Sequence, residues 1–335
     1  MLEISNYSFS LTLLTEALAQ AKPWVLIEWI SIFLGVIINF IYSIVSAYPN
    51  ALGISVILFT FVVRGLMFPL GINQQKSMVA MQKLTPEIEK IKKKYGTSKD
   101  PEVQQKIAAD TQKLYAKHKV NPFGGCLPLI LQMPIFFALI HIMQNTYYFI
   151  DRISDFYAQI YSALKTVPGY MDILIPVFQE NTAKGVEIQL TTTKELGRIL
   201  NVFTQADWTG LLAKFPKEIS DTVWEILRQR DAAYMFFGLD MRANAGWGFP
   251  GILIPILTGV TMFLSSWIMQ LQQNKTVDPQ QQMTQKIMLI GMPIFMAWTT
   301  VNFPIGVGLY WIASSLFQLV QQMVLNRYFG AKKEA

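Results

Sequence analysis

The sequence predicts an all-α polytopic membrane protein, and three observations carry this prediction. Of the 335 residues, 52% are hydrophobic and only 15% are charged, whereas a soluble domain has about 25% charged residues. Five apolar stretches approach or exceed the length of a bilayer-spanning helix, about 20 residues. One further segment is rich in lysine and has apolar residues at helical spacing, which predicts a helical hairpin outside the membrane.

The five predicted transmembrane segments follow an N-terminal segment, residues 1–50, that we expect to be external. They are residues 51–72, 122–150, 249–271, 287–303 and 304–325. Residues 26–48 are also apolar, but their small and weakly polar residues fall three or four apart, on one helical face: Glu28, Ser31, Gly35, Asn39, Tyr42 and Ser46. This pattern is typical of an amphipathic helix that lies at the membrane surface. Because the polar face is weak, a spanning helix is the alternative.

The segment 73–121 has a different character, with eleven lysines, five acidic residues and no arginine. We expect Gly96 to end a first helix, and Asp100 followed by Pro101 to begin a second one. The predicted structure is an antiparallel hairpin with a basic surface and a narrow apolar seam. Its densest basic patch, a candidate docking surface for an acidic partner, consists of Lys90, Lys92, Lys93 and Lys94. Alternatively, these lysines only mark the cytoplasmic side and attract anionic lipids.

Lysine and arginine bias predicts the orientation of the chain, because cytoplasmic loops carry the excess of these residues. The hairpin has a net charge of +6, whereas residues 151–248 have a net charge of −2. We therefore expect the hairpin, the loop 272–286 and the basic tail 326–335 to be cytoplasmic, with the N-terminus outside. Residues 151–248 are then an external insertion, either a small subdomain with a helix over 217–230 or a loosely ordered region.

Arg64 lies within the first predicted span, where an unpaired charge costs roughly 2.5–3.5 kcal/mol on insertion scales. No Asp or Glu occurs in any of the five predicted spans, so none can neutralise it within the membrane. The residue either faces a wet cavity or extends its side chain toward the membrane surface.

Two other spans carry polar stripes that could line such a cavity together with Arg64 and Thr60. The last span has Trp311, Ser314, Ser315 and Gln318 at helical spacing, and the third has Thr258 and Thr261. Small polar residues in membrane helices more often mediate helix packing, which is the alternative for each stripe. These eight residues are the candidate site.

Other functions find little support in the residues. The two histidines do not form an HExxH motif, so we expect no catalytic zinc site, no metal and no cofactor. No catalytic residues, glycine-rich phosphate loop or DNA partner is predicted. A small-solute transporter or channel is the stronger alternative, although proton coupling usually uses an acid within the membrane.

Four motifs resemble the YidC membrane protein insertases. They are TFVVRGLMFPL at 60–70, NPFGGCLPLILQMPIFFAL at 121–139, PILTGVTMF at 255–263 and FPIGVGLYWIASSLFQLVQQ at 303–322. With the lysine-rich hairpin, the resemblance covers all five spans. It is to the Gram-positive-like form, because the large periplasmic domain of Gram-negative members has no counterpart, whereas residues 151–248 are longer than the family core.

The resemblance implies that five helices enclose a hydrophilic groove that is open to the cytoplasm and to lipid. It implies a bacterial plasma membrane protein that moves nascent membrane proteins into the bilayer without a chemical reaction. Arg64 would lie in the groove and attract acidic substrate segments, and Thr60 and Trp311 would contact substrate. The ribosome, the signal-recognition pathway and the Sec translocon are the implied partners, together with membrane lipids.

Overall fold

The computed structural model describes residues 25–96, 100–120, 127–181, 193–271, 283 and 285–331. The described chain is almost entirely helical. Its helices are α1 (Val25–Val45), α2 (Ala51–Leu66), α3 (Phe68–Tyr95), α4 (Pro101–Lys117), α5 (Leu127–Gln144), α6 (Thr146–Phe149), α7 (Asp151–Leu164), α8 (Tyr170–Asn181), α9 (Thr193–Leu200), α10 (Gln205–Leu212), α11 (Lys217–Tyr234), α12 (Leu253–Gln270), α13 (Met292–Thr300) and α14 (Ile305–Ala331). A two-stranded hairpin, β1 (Met235–Phe236) and β2 (Leu239–Asp240), follows α11.

The chain divides into two compact units. The first comprises Met1–Ser55 and Met133–Phe237, and the second comprises Val56–Gln132 and Gly238–Ala335. Most of the predicted loop 272–286 and the last four residues of the predicted tail lie outside the described residues.

In the first unit, residues 151–181 and 193–237 of the predicted insertion form a packed helical subdomain rather than a loosely ordered region. Helix α7 packs against α9 and α11, and the predicted helix over 217–230 is confirmed as α11. The core includes Tyr157, Trp208 and Leu227, each at most 2% exposed. The guanidinium of Arg230 lies 5.7 Å from the ring centroid of Tyr157 and 5.6 Å from that of Trp208.

The weakly polar face of α1 packs against protein. Ser31 Oγ is 3.4 Å from the carbonyl oxygen of Ala138, and Asn39 Nδ2 donates to Asp151 at 2.7 Å. The opposite face is 61–70% exposed and apolar, and consists of Trp29, Phe33, Val36, Phe40 and Ile44. The small residues of this face therefore allow close packing against protein. Since Ile27–Val45 is also long and apolar enough to cross a membrane, both arrangements of α1 stay predictions.

The first predicted span, 51–72, is not one straight helix. Helix α2 ends at Leu66, α3 begins at Phe68, and the two axes are bent by 54°. Pro69 explains the break, because proline lacks an N–H and its ring clashes with the carbonyl four residues earlier. Arg64 therefore lies in the last turn of its helix, where a cation interacts favourably with the helix dipole.

The apolar helices agree with an all-α membrane protein without fixing the number of spans at five. Among the described residues, α1 and α12 are each long and apolar enough to cross a membrane, and the bent pair Ala51–Leu66 and Phe68–Met81 would make a third span. The apolar helices Gln132–Gln144 and Ile287–Thr300 are shorter. The latter begins with a π-helical turn, Ile287–Gly291, which ends two residues before Pro293.

In the second unit, the predicted hairpin is confirmed as α3 packed against α4. Gly96 ends α3 with a positive φ of 73°, a conformation that glycine adopts without strain. Asp100 caps α4 by accepting a hydrogen bond from Glu102 N at 3.0 Å, and Pro101 follows at the first helical position. The phenol of Tyr95 also donates to Asp110 Oδ2 at 2.7 Å, which joins the end of α3 to the middle of α4.

We expect the Tyr95–Asp110 hydrogen bond to depend on pH at both extremes. The bond lowers the pKa of Asp110 and raises the pKa of Tyr95. The contribution of ionised Asp110 to folding stability is present above its ordinary pKa of about 4, and it is lost as pH falls through the lowered pKa. The contribution of the protonated Tyr95 phenol to folding stability is present below its ordinary pKa of about 10, and it is lost as pH rises through the raised pKa. An NMR titration should show the Asp110 pKa rising in Tyr95→Phe; an unchanged Asp110 titration would contradict the assignment.

Candidate functional site

Arg64 is the centre of the candidate site, and its partner comes from α14 in the same unit. Its Nε donates to Ser314 Oγ at 2.7 Å, and its Nη2 donates to the same oxygen. Ser314 is only 3% exposed, whereas Arg64 is half-buried. The arginine is therefore held by a neutral hydroxyl that cannot cancel its charge.

The charge of Arg64 has no carboxylate within ion-pair distance among the described residues. An arginine carries five N–H donors, so one hydroxyl leaves most of its hydrogen-bonding capacity unused. A cation that is partly removed from water and lacks a counter-charge attracts an anion strongly, because the local dielectric is low. The site can therefore bind an acidic or strongly polar group that comes from outside the chain.

Thr60 and Trp311, predicted to contact a substrate, are both buried in this structure. Thr60 is fully buried, and its hydroxyl donates to the carbonyl oxygen of Val56 at 2.6 Å, within its own helix. Trp311 is 9% exposed and stacks edge-to-face against Phe303, with ring centroids 5.7 Å apart. A bound segment could reach either side chain only if the helices moved apart.

The remaining predicted residues of α14 differ in exposure along the helix. Ser315 is half-buried and Gln318 is exposed, whereas Ser314 between Trp311 and Ser315 is buried. Phe317 packs on Phe61 of α2 with ring centroids 6.0 Å apart. The accessible side of this stripe therefore consists of Ser315 and Gln318.

The predicted stripe on α12 is a packing surface. Thr258 and Thr261 are 1% and 8% exposed, and α12 packs against both α13 and α14. Thr261 donates to the carbonyl oxygen of Leu257 at 2.7 Å, which satisfies its hydroxyl within the helix. Thr258 Oγ1 has no hydrogen-bond partner among the described residues. An unpaired buried hydroxyl costs about 1–3 kcal/mol, so Thr258 destabilises this contact by about that amount.

Two residues that the sequence analysis did not single out belong to the same polar group. Gln132 Nε2 donates to the phenol oxygen of Tyr310 at 2.6 Å, and Tyr310 is 1% exposed. Tyr310 lies one turn before Ser314 on α14, on the same helical face as the hydroxyl that accepts from Arg64. The sequence did contain a signal for this hydrogen bond, because Gln132 is an amide side chain inside the apolar run of the second predicted span.

The four predicted hairpin lysines lie in the last turns of α3, where the C-terminal end of the helix dipole favours cations. Lys90, Lys93 and Lys94 are exposed and Lys92 is half-buried. Lys94 Nζ lies 5.2 Å from the ring centroid of Tyr95. Within the described ranges, no three side chains of histidine, cysteine, aspartate or glutamate converge as they would around a metal ion.

Fold and site together define a helical membrane protein with a half-buried cation that a neutral hydroxyl holds in place. The family model described as 60Kd inner membrane protein matches residues 40–333, and the chain belongs to this family. This confirms the resemblance predicted from the four motifs, and with it a helical, membrane-embedded protein.

Curated relatives match most of the chain. A membrane protein insertase YidC of Oceanobacillus iheyensis is 27% identical over 306 residues, which cover 91% of this chain and 86% of the relative. A membrane protein insertase YidC of Caldanaerobacter subterraneus is 29% identical, with 89% of this chain and 94% of the relative covered. The membrane protein insertase MisCA of Bacillus subtilis is 27% identical, with 82% and 70% covered.

Proposed function

We propose that this chain is a membrane protein insertase that moves nascent membrane proteins into the lipid bilayer. The observation that carries the proposal is the half-buried guanidinium of Arg64, which is held by Ser314 without a carboxylate partner among the described residues. Its counter-charge would arrive with the substrate, as an acidic or polar segment that must cross the membrane. Membership of a family whose curated relatives are named insertases supports this function over a small-solute transporter.

The proposed mechanism lowers the free energy of a polar segment inside the membrane without a chemical reaction. Moving a charged side chain to the bilayer centre costs about 2.5–3.5 kcal/mol on insertion scales. A charge-assisted hydrogen bond to Arg64 would offset about 1.5–3 kcal/mol of this cost. The segment would then leave the site as its apolar stretch partitions into lipid.

The proposed orientation has the N-terminus outside and the C-terminus in the cytoplasm of a bacterial cell, with the basic hairpin on the cytoplasmic side. The exposed lysines Lys90, Lys93 and Lys94 would then face the ribosome, whose RNA surface is acidic. We propose the signal-recognition pathway and the Sec translocon as further partners, as the sequence resemblance implies.

Reconstitution of the purified chain in liposomes tests the proposed function. A small single-spanning substrate with an acidic external segment is synthesised in the presence of these liposomes and then treated with protease. We expect a protected fragment that requires the protein. Flux of small solutes without substrate protection would instead refute the proposal.

Photocrosslinking tests the proposed location of the substrate. We expect a photoreactive residue at Gln318 to capture a translating substrate more efficiently than one at Thr60, because Gln318 is exposed and Thr60 is fully buried. Val320, an apolar residue of the same helix with 55% exposure, is the matched control and should capture mainly lipid. Equal capture at Gln318 and Val320 would exclude a substrate path along this stripe of α14.

A further inference from the structure

The first unit contains a cavity of about 420 Å³ that no part of the proposed insertion mechanism uses. It lies where the end of α1 and the start of α2 meet α7 and α11. Its size is within the range of about 300–1,000 Å³ that is typical of small-molecule sites. The cavity therefore has the dimensions of a binding site.

The charges of this cavity come from α7. Arg152 and Asp155 both line it, and their spacing of three residues places them on the same helical face. In the described part of the chain, neither residue forms an ion pair within 4 Å. The neighbouring Asp151 accepts a hydrogen bond from Asn39 Nδ2 at 2.7 Å. Part of its hydrogen-bonding capacity is therefore already used, and it competes less for Arg152. A cation and an anion are therefore both available to one ligand.

The rest of the lining adds hydrogen-bonding groups and aromatic rings. Its amides and hydroxyls come from Asn50, Gln159, Gln229 and Ser46, and its rings from Tyr42, Tyr48 and Phe156. The lining contains one carboxylate and no histidine or cysteine, so it has neither the ligand set of a metal site nor a nucleophile with a base. This chemistry suits binding of a ligand that carries both charges.

The surroundings of the cavity favour a lipid over a soluble ligand. Tyr48 lines the cavity and is 66% exposed, and Ile44, four residues earlier on the apolar face of α1, is 61% exposed. Tyrosine is enriched where a membrane protein meets the interface between lipid and water. The cavity mouth thus borders a surface on which acyl chains can pack.

We propose that this cavity binds the head group of a zwitterionic phospholipid, with the phosphate at Arg152 and the ammonium group at Asp155. The aromatic rings add cation–π attraction for the ammonium group, and the acyl chains lie along the exposed face of α1. The proposal does not depend on the insertase function, since lipid binding is measured directly and needs no substrate.

Native mass spectrometry of the full purified chain tests the proposal with phosphatidylethanolamine and phosphatidylglycerol as probes. Arg152→Gln should weaken retention of both lipids about tenfold, because both carry the phosphate. Asp155→Asn should weaken retention of phosphatidylethanolamine about tenfold and leave phosphatidylglycerol unchanged. The control is Arg228→Gln, because Arg228 is an exposed arginine of α11 that pairs with Glu225 at 2.9 Å outside the cavity lining.

Two further probes separate the lipid from soluble sources of the same chemistry. Glycerophosphoethanolamine has the head group without acyl chains, and inorganic phosphate has the anion alone. Binding of either probe as tightly as the lipid would overturn the lipid assignment. Unchanged retention in Arg152→Gln, or an equal loss of both lipids in Asp155→Asn, would overturn the proposed contacts. Because both side chains are exposed, these variants are expected to fold, and an unchanged melting temperature checks this.

Discussion

Replacing Arg64 by alanine is expected to reduce insertion of a substrate with an acidic external segment by about 10- to 100-fold. This range corresponds to the loss of a charge-assisted interaction of about 1.5–3 kcal/mol. The reason is that Arg64 donates to the neutral Ser314 and has no carboxylate partner among the described residues, so its charge is available to the substrate. Protease protection in reconstituted liposomes measures the effect.

Two variants and one altered substrate separate the charge of Arg64 from its position. Arg64→Lys keeps the charge and should retain much of the activity. Ser314→Ala keeps the arginine but removes the hydroxyl that orients it, so we expect a loss smaller than that of Arg64→Ala. When the acidic residues of the substrate are replaced by the corresponding amides, its insertion should change much less in Arg64→Ala, Arg64→Lys and Ser314→Ala. Full activity of Arg64→Ala on the acidic substrate would refute the electrostatic role.

The second large effect is expected for Arg230, in the helical subdomain of the first unit. Arg230→Ala should destabilise this unit by about 2–3 kcal/mol and lower its melting temperature by about 5–10 °C. Arg230 is 6% exposed, and its guanidinium lies 5.7 Å from the ring centroid of Tyr157 and 5.6 Å from that of Trp208, so its removal leaves a cavity and ends both cation–π contacts. Its ion pair with Asp231, at 2.8 Å, contributes less because Asp231 is half exposed.

Thermal unfolding followed by tryptophan fluorescence measures this effect, since Trp208 lies directly against Arg230. Arg228→Ala is the matched control on the same helix: Arg228 is 74% exposed and pairs with Glu225, so its loss should cost less than 1 kcal/mol. Arg230→Lys keeps the charge without the planar guanidinium and should fall between the two. Equal melting temperatures for Arg230→Ala and Arg228→Ala would show that the two ring contacts do not stabilise the unit.

Local features could be predicted from the sequence because they depend on neighbouring residues. Gly96 and Asp100 end and begin the hairpin helices as expected, since a glycine at a helix end and an aspartate before a proline act within a single turn. The effect of Pro69 is equally local, yet it was missed because the apolar run from 51 to 72 continues across it. A hydropathy pattern indicates which segments are apolar enough to lie in lipid, but it does not indicate where a helix bends.

The candidate site could be predicted only in part. The absence of an acid from the predicted spans is a property of composition, so the uncompensated charge of Arg64 was visible without coordinates. Coordinates were needed to show that Thr60 is buried, that Trp311 contacts Phe303, and that Gln132 donates to Tyr310. A polar stripe on a helix has the same spacing whether it lines a cavity or packs against a neighbour, as Thr258 and Thr261 do.

The sequence by itself determined that this is an all-α membrane protein, that a basic hairpin interrupts its apolar segments, and that the charge of Arg64 has no counterpart in the predicted spans. These properties follow from composition, hydropathy and contacts within one helical turn. Only the tertiary structure decided that Ser314, 250 residues away, holds Arg64, that the weakly polar face of α1 packs against protein, and that Arg152 and Asp155 line a cavity. Such pairings join distant parts of the chain, and no local pattern encodes which faces meet.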